Sequence, residues 1–150
     1  MKRLYSTLIP WFESVPTELI VIIARISIAT VFLRSGLLKI DGWSEGTTLA
    51  LFTDEYKLPL LPPLIAAYLA TAMELSLSSL ILIGLLTRFA ALGLLLMTLV
   101  IEIFVYPNAF DTHGIWAVCL LFLMKHGAGR ISLDHLVGWM SPSPSHAISG

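Results

Sequence analysis

Arg25, Arg34, Glu74 and Glu102 stand inside long apolar runs of this sequence, and they are the residues best placed to do chemistry. An ionised side chain held in hydrocarbon costs at least ~2.5 kcal/mol at the bilayer centre unless it is paired or hydrated. A buried carboxylate beside a buried cation can therefore exchange protons, hold a polar ligand, or only fix the register of two helices. Lys39, Asp41 and His113 lie near the ends of neighbouring runs and extend the polar set. Glu74 and Glu102 are the candidate catalytic acids or bases. Arg25, Arg34, Lys39, Glu74, Glu102 and His113 are the candidate ligand contacts.

The composition explains why such residues need attention. Of 150 residues, 57% are apolar before the ten glycines are added, and only 13% are charged. Ordinary globular chains run near 45–50% with glycine included and about a quarter charged. With a mean hydropathy of +0.86, the lipid bilayer has to be the main solvent. A net charge of −1 offers no basic stripe for phosphates, so no nucleic acid partner is expected. The lone Cys119 excludes an internal disulfide, a CxxC pair or a thiolate metal cluster within one chain. His113 and His126 fall thirteen residues apart on one run and the other spans hold no histidine, which excludes bis-histidine haem ligation. Cys119 with Met124 reads as core packing rather than a copper site. No P-loop, GxGxxG or Ser/His/Asp set is present.

These observations predict an all-α fold: an integral membrane four-helix bundle with a short C-terminal interfacial helix. The expected spans are 17–38, 63–86, 89–106 and 112–126, within a domain covering 17–140. Pro16 and Glu18 suit the first turn of the first span. Glu13, two prolines and the lack of a small-x-small site argue against a cleavable signal peptide in residues 1–16, read as an interfacial segment. Residues 39–60 read as the one long loop. Ser132 should cap an interfacial helix over 132–140, and 141–150 should be a disordered tail. The fourth run is short for a bilayer of roughly 30 Å.

Four spans put both termini on one side, with Lys2, Arg3, Arg88, Lys125 and Arg130 against Lys39 and Lys57 opposite. That bias predicts a bacterial-type cytoplasmic membrane protein with cytoplasmic termini. Trp11 and Trp139 would mark the inner boundary, and Trp43, Tyr106 and Trp116 the outer one. At about 1.5 Å per residue, Arg25 and Glu74 stand roughly 12 and roughly 18 Å above the inner boundary, Arg34 and Glu102 roughly 25 and roughly 21 Å. The expected pairs are Arg25 with Glu74 and Arg34 with Glu102. Nine residues turn Arg34 to the side of the first span opposite Arg25. Ala67, Thr71, Glu74 and Ser78 form a small, polar stripe suited to close helix contact or an aqueous pocket.

Three segments, FLRSGLLKIDGW at 32–43, ATAMELSLSSLILIGLLTRFAAL at 70–92 and HGAGRISLD at 126–134, resemble in order and spacing the DoxX family of small four-helix membrane proteins. The resemblance maps the family's shared residues onto Arg25, Gly36, Lys39, Glu74, Arg88, Gly127, Gly129, Ser132 and Asp134. It implies a subunit similar to the small component of thiosulfate:quinone oxidoreductase, or a component of a membrane oxidoreductase assembly. Some members look like accessory membrane components encoded with metal-handling proteins, and many have no assigned activity, so catalysis by this chain is left open. A quinone or similar small redox ligand would then sit among spans one to three, with Arg25, Arg34 or Lys39 donating to its oxygens. The alternative is a non-catalytic anchor or assembly partner of a soluble enzyme or metal-handling protein, docking through the 39–60 loop. A small-solute carrier acting as a homo-oligomer is the third reading.

Overall fold

The structure, a computed structural model, describes residues 9, 10 and 12–138. Trp11, Trp139, residues 1–8 of the N-terminal segment and the 141–150 tail lie outside the described residues, and with them the expectations placed there.

Helix α1 runs Thr17–Glu45, entered from Pro16 with Glu18 in its first turn. Its buried residues Val21, Ala24, Arg25, Ile28, Ala29, Phe32, Gly36 and Lys39 recur at three- and four-residue steps, forming one inward stripe. The helix continues well past Leu38, because charged residues at a membrane edge end the apolar run without ending the hydrogen-bond ladder. Gly46 stops it, in the left-handed conformation at φ 74°. The expected loop is itself largely helical, with α2 at Thr47–Ala50 followed by a π-helical stretch, Leu51–Tyr56.

Helix α3 spans Pro63–Ile83, with proline in its first turn and Gly84 ending it at φ 73°. Helix α4, Thr87–Val100, passes directly into a second π-helical stretch, Ile101–Val105. Helix α5 covers Phe110–His126, and the short α6, Leu133–Val137, starts at Ser132, whose hydroxyl accepts from the His135 N–H. No strand occurs among the described residues.

The chain goes up and down, so each of α1, α3, α4 and α5 packs on its sequence neighbours and α1 also meets α5, closing a four-helix ring. We call the end holding the start of α1 and the end of α5 the base, and the opposite end, with α2 and the two π-helical stretches, the crown. Apolar side chains gain little by leaving lipid for one another, so close packing has to hold such a bundle together. Ala29, Ala67, Ala91 and Ser78 are fully buried, letting backbones approach around Phe32, Ile81, Leu94, Leu120 and Leu123. Outward faces carry exposed Leu, Ile and Phe, among them Ile23, Ile26, Leu64, Phe89 and Leu96. Helices α1, α3 and the continuous Thr87–Val105 are long and apolar enough to cross a membrane; the chain is a multi-pass membrane protein. Helix α5, of 17 residues, packs alongside them.

Candidate functional site

Glu74 sits in the middle of the inward face of α3, 3% exposed, and its partner is Lys39 rather than Arg25. Lys39 Nζ lies 3.0 and 2.9 Å from Oε1 and Oε2 of Glu74 and donates to the Ser35 hydroxyl at 2.9 Å. Ser35 donates in turn to Glu74 Oε1 at 3.2 Å. Counting heights by residue number misses this pair because helical side chains lean toward their own N-terminus. Lys39 on α1 leans toward the base, Glu74 on the antiparallel α3 leans toward the crown, and the two meet between their backbones. Arg25 leans the opposite way from Glu74. Gly36 brings the helices together at this level: a Cβ there would fall 2.9 Å from the Leu75 side chain and 3.2 Å from Glu74 Cβ.

Arg25 ties down the base. Its guanidinium donates to the carbonyls of Ile81 (3.0 Å), Leu82 (2.8 Å), Ala128 (2.9 Å) and Ile131 (2.6 Å). The fork of donors joins the frayed end of α3 to the turn that follows α5. Asp134 finishes the same junction, accepting from the N–H groups of Leu86 (2.8 Å) and Thr87 (3.1 Å) at the start of α4. A carboxylate at a helix N-terminus is favoured both by those donors and by the dipole. Gly84 leaves the space: a Cβ there would lie 2.6 Å from Arg25 Nη2. Arg25 thus belongs to a structural junction, separate from the Glu74 site.

Arg34 and Glu102 do not meet either. The half-turn from Arg25 carries Arg34 to the exposed side of α1, where no hydrogen bond or ion pair engages it among the described residues. Asp41 is exposed on the same helix. Glu102, in the π-helical end of α4, pairs instead with His113 Nδ1 at 2.6 Å. A carboxylate on Nδ1 fixes the ring and leaves Nε2 for another partner, the arrangement that makes histidine a general base.

Lys39, Glu74 and His113 all line one cavity of about 330 Å³ in the crown half of the bundle. Its walls are mostly apolar, from Phe32, Met73, Met97 and Trp116, and the π-helical residues Phe52 and Tyr56 close it above. Leu69, Leu96 and Val100 also line it and are exposed, so it opens sideways between α3 and α4. Trp116 therefore faces inward, its ring 5.4 Å from that of Phe32, instead of joining a boundary belt; the first turns of α5 lie against α1. Trp43 stacks on Tyr68 at the crown, ring centroids 4.3 Å apart. Tyr56 and Tyr106 meet edge to face at 5.8 Å, and the Tyr106 hydroxyl donates to Glu55. That bond to a carboxylate raises the Tyr106 phenol above its ordinary value, and burial does the same for Tyr56. Among the described residues no His, Cys, Asp and Glu cluster fit to hold a metal occurs.

The DoxX profile matches residues 20–107. This chain belongs to the DoxX family. An uncharacterized protein of Haemophilus influenzae is 32% identical over 134 residues, covering 83% of this chain and 87% of that one. No solved structure matches it. The positions that the DoxX resemblance singles out separate into two groups in space. Gly36, Lys39 and Glu74 form the buried pair and its close approach, while Arg25, Ser132 and Asp134 form the base junction. Gly127 and Gly129 shape the turn between α5 and α6, both at positive φ. Ser35, Tyr56 and Trp116 were missed by the sequence reading. Ser35 carried a usable signal, four residues before Lys39 on one helix face; Tyr56 and Trp116 carried none, since only the folded crown turns them inward.

Proposed function

We propose that this DoxX protein is the membrane subunit of an oxidoreductase assembly and that its crown cavity takes a quinone or similar apolar redox ligand. The observation that supports this most is a mostly apolar, laterally open cavity ending on a buried Lys39–Glu74 pair and a carboxylate-backed His113. A ligand dissolved in lipid needs a side entrance, apolar walls for its body and few polar groups for its oxygens. The volume falls within the range of small-molecule sites, on the order of 300–1,000 Å³, and the lining residues fit such a headgroup. A quinone, when bound, supplies the electron chemistry. Lys39 and Tyr56 would offer donors to its oxygens, and His113, held by Glu102, would hold or take a proton at Nε2. The site is built from α1, α3, α4 and α5. In this reading the base faces the cytoplasm, the protein resides in a bacterial inner membrane, and electrons reach a partner protein or a second copy of the chain.

The test is the full chain in nanodiscs titrated with decylubiquinone, with Trp116 as the reporter. Saturable quenching, lost in W116F and weakened in K39M and H113F, is expected. Quenching that is non-saturable, or identical in K39M and H113F, refutes the site.

A further inference from the structure

A second pocket, of about 380 Å³, opens at the crown beside the exposed Thr47 and is lined by Leu38, Thr48 and Leu51. Ser35, Lys39 and Tyr56 line both this pocket and the apolar cavity, whereas Glu74 lines the cavity alone. Lys39 thus borders both spaces and Glu74 only the cavity, so the ion pair stands where the two spaces meet.

We propose that the Lys39–Glu74 pair is a proton connection, passing protons between a hydroxyl-bearing apolar ligand in the cavity and water in the crown pocket. The proposal rests on the preceding reading only for what occupies the cavity. In the outward direction, the ligand O–H bond breaks and its proton joins a Glu74 oxygen, leaving a ligand oxyanion and a neutral carboxylic acid. Lys39, its ammonium no longer paired with the Glu74 carboxylate, gives one N–H proton to water in the crown pocket. The amine then takes the proton from Glu74, and the pair is restored. One proton has moved from ligand to water, and no electron moves in these steps.

The groups that face the pair agree with that direction of travel. Ser35, on α1, bonds both partners and can hold a proton in passage. Tyr56, from the π-helical stretch, borders both spaces. Across the cavity stand His113 of α5, engaged by Glu102 of α4, and Tyr106, engaged by Glu55. Lys39 is the only ammonium among the residues lining either space, and it alone of the basic groups there is in direct contact with the Glu74 carboxylate.

The experiment is infrared difference spectroscopy of the full chain in lipid, titrated in pH and then exchanged into D2O. A protonated carboxyl band that grows on acidification and is missing in E74Q is expected. If E74Q does not fold, the double variant K39M/E74Q serves for the assignment. The H-to-D shift of that band should slow severalfold in L38W, or in L51W, which fill the crown pocket without touching the pair. Absence of any Glu74 band while the protein stays folded overturns the proposal, as does exchange that is equally fast in the filled variants. Decylubiquinone quenching is read separately. Quenching without the Glu74 band defeats the proton connection alone; the band and its slowed exchange without quenching defeat the quinone reading alone.

Discussion

Lys39 Nζ lies within 3.0 Å of both carboxylate oxygens of Glu74, yet Lys39 is three residues, or roughly 4.5 Å along the axis, beyond Gly36, the α1 residue that faces Glu74. Antiparallel helices make this reach possible, since each side chain leans toward the other's level. Removing one partner should cost far more than removing both, because it strands a buried charge, by about 3–5 kcal/mol in known cases. Thermal unfolding in detergent is expected to rank K39M and E74Q well below K39M/E74L. Equal loss in single and double variants would show that the pair is not coupled.

At the base, Arg25 donates to four carbonyls that accept from no other side chain among the described residues. Unsatisfied buried acceptors cost about 1–3 kcal/mol each. R25M should therefore loosen the turn after α5 and the end of α3, seen as faster amide exchange over 127–137. R25K keeps the charge but loses the planar fork, so it should rescue only part of the protection. Full rescue by lysine would mean that charge, not geometry, holds the junction.

Asp134 predicts a separate effect at the start of α4. D134A leaves the Leu86 and Thr87 N–H groups without their carboxylate, a loss of about 1–2 kcal/mol for a helix cap. The melting temperature should fall while decylubiquinone quenching, measured below the transition, stays unchanged. A change in binding with no change in stability would couple the base to the cavity.

Gly36 should tolerate no larger side chain. A Cβ would already come within 2.9 Å of Leu75, and overpacking of this kind costs about 1–3 kcal/mol. G36V is expected to push α1 from α3, lengthen the Lys39–Glu74 contact and lower decylubiquinone affinity. Wild-type affinity in a folded G36V protein would separate the ligand site from the pair.

The crown bond between Tyr106 and Glu55 sets an alkaline limit. The phenol is raised in the folded chain, so its protonated form is favoured by folding. The contribution is fully present below the unfolded value near 10 and is lost as pH rises through the higher folded value. Ultraviolet titration of tyrosinate should show a late-ionising fraction that loses one phenol in Y106F, Tyr56 remaining, and the same phenol should ionise earlier in E55Q. A late fraction in E55Q equal to that of wild type would assign the Tyr106 shift to another neighbour.

The membrane class was legible from composition, because 57% apolar and 13% charged residues cannot coat a water-soluble fold. Pro16 and Glu18 suited the first turn of the first helix, and Ser132 announced the α6 cap. Buried Glu74 and half-buried Glu102 were also legible, since they interrupt runs that lipid would otherwise dictate. Their partners were not. Height counted along one helix says nothing of which way a side chain leans, and that direction gave Glu74 to Lys39 and sent Arg25 to the base carbonyls. Nor does a half-turn separation reveal whether the far face meets a helix or the outside; for Arg34 it meets the outside. The cavity belongs wholly to tertiary structure. Its walls come from helices distant in sequence and from two π-helical stretches, one in a segment whose charge reads as loop and one at the end of the third apolar run, and only their packing brings two cavities against one ion pair.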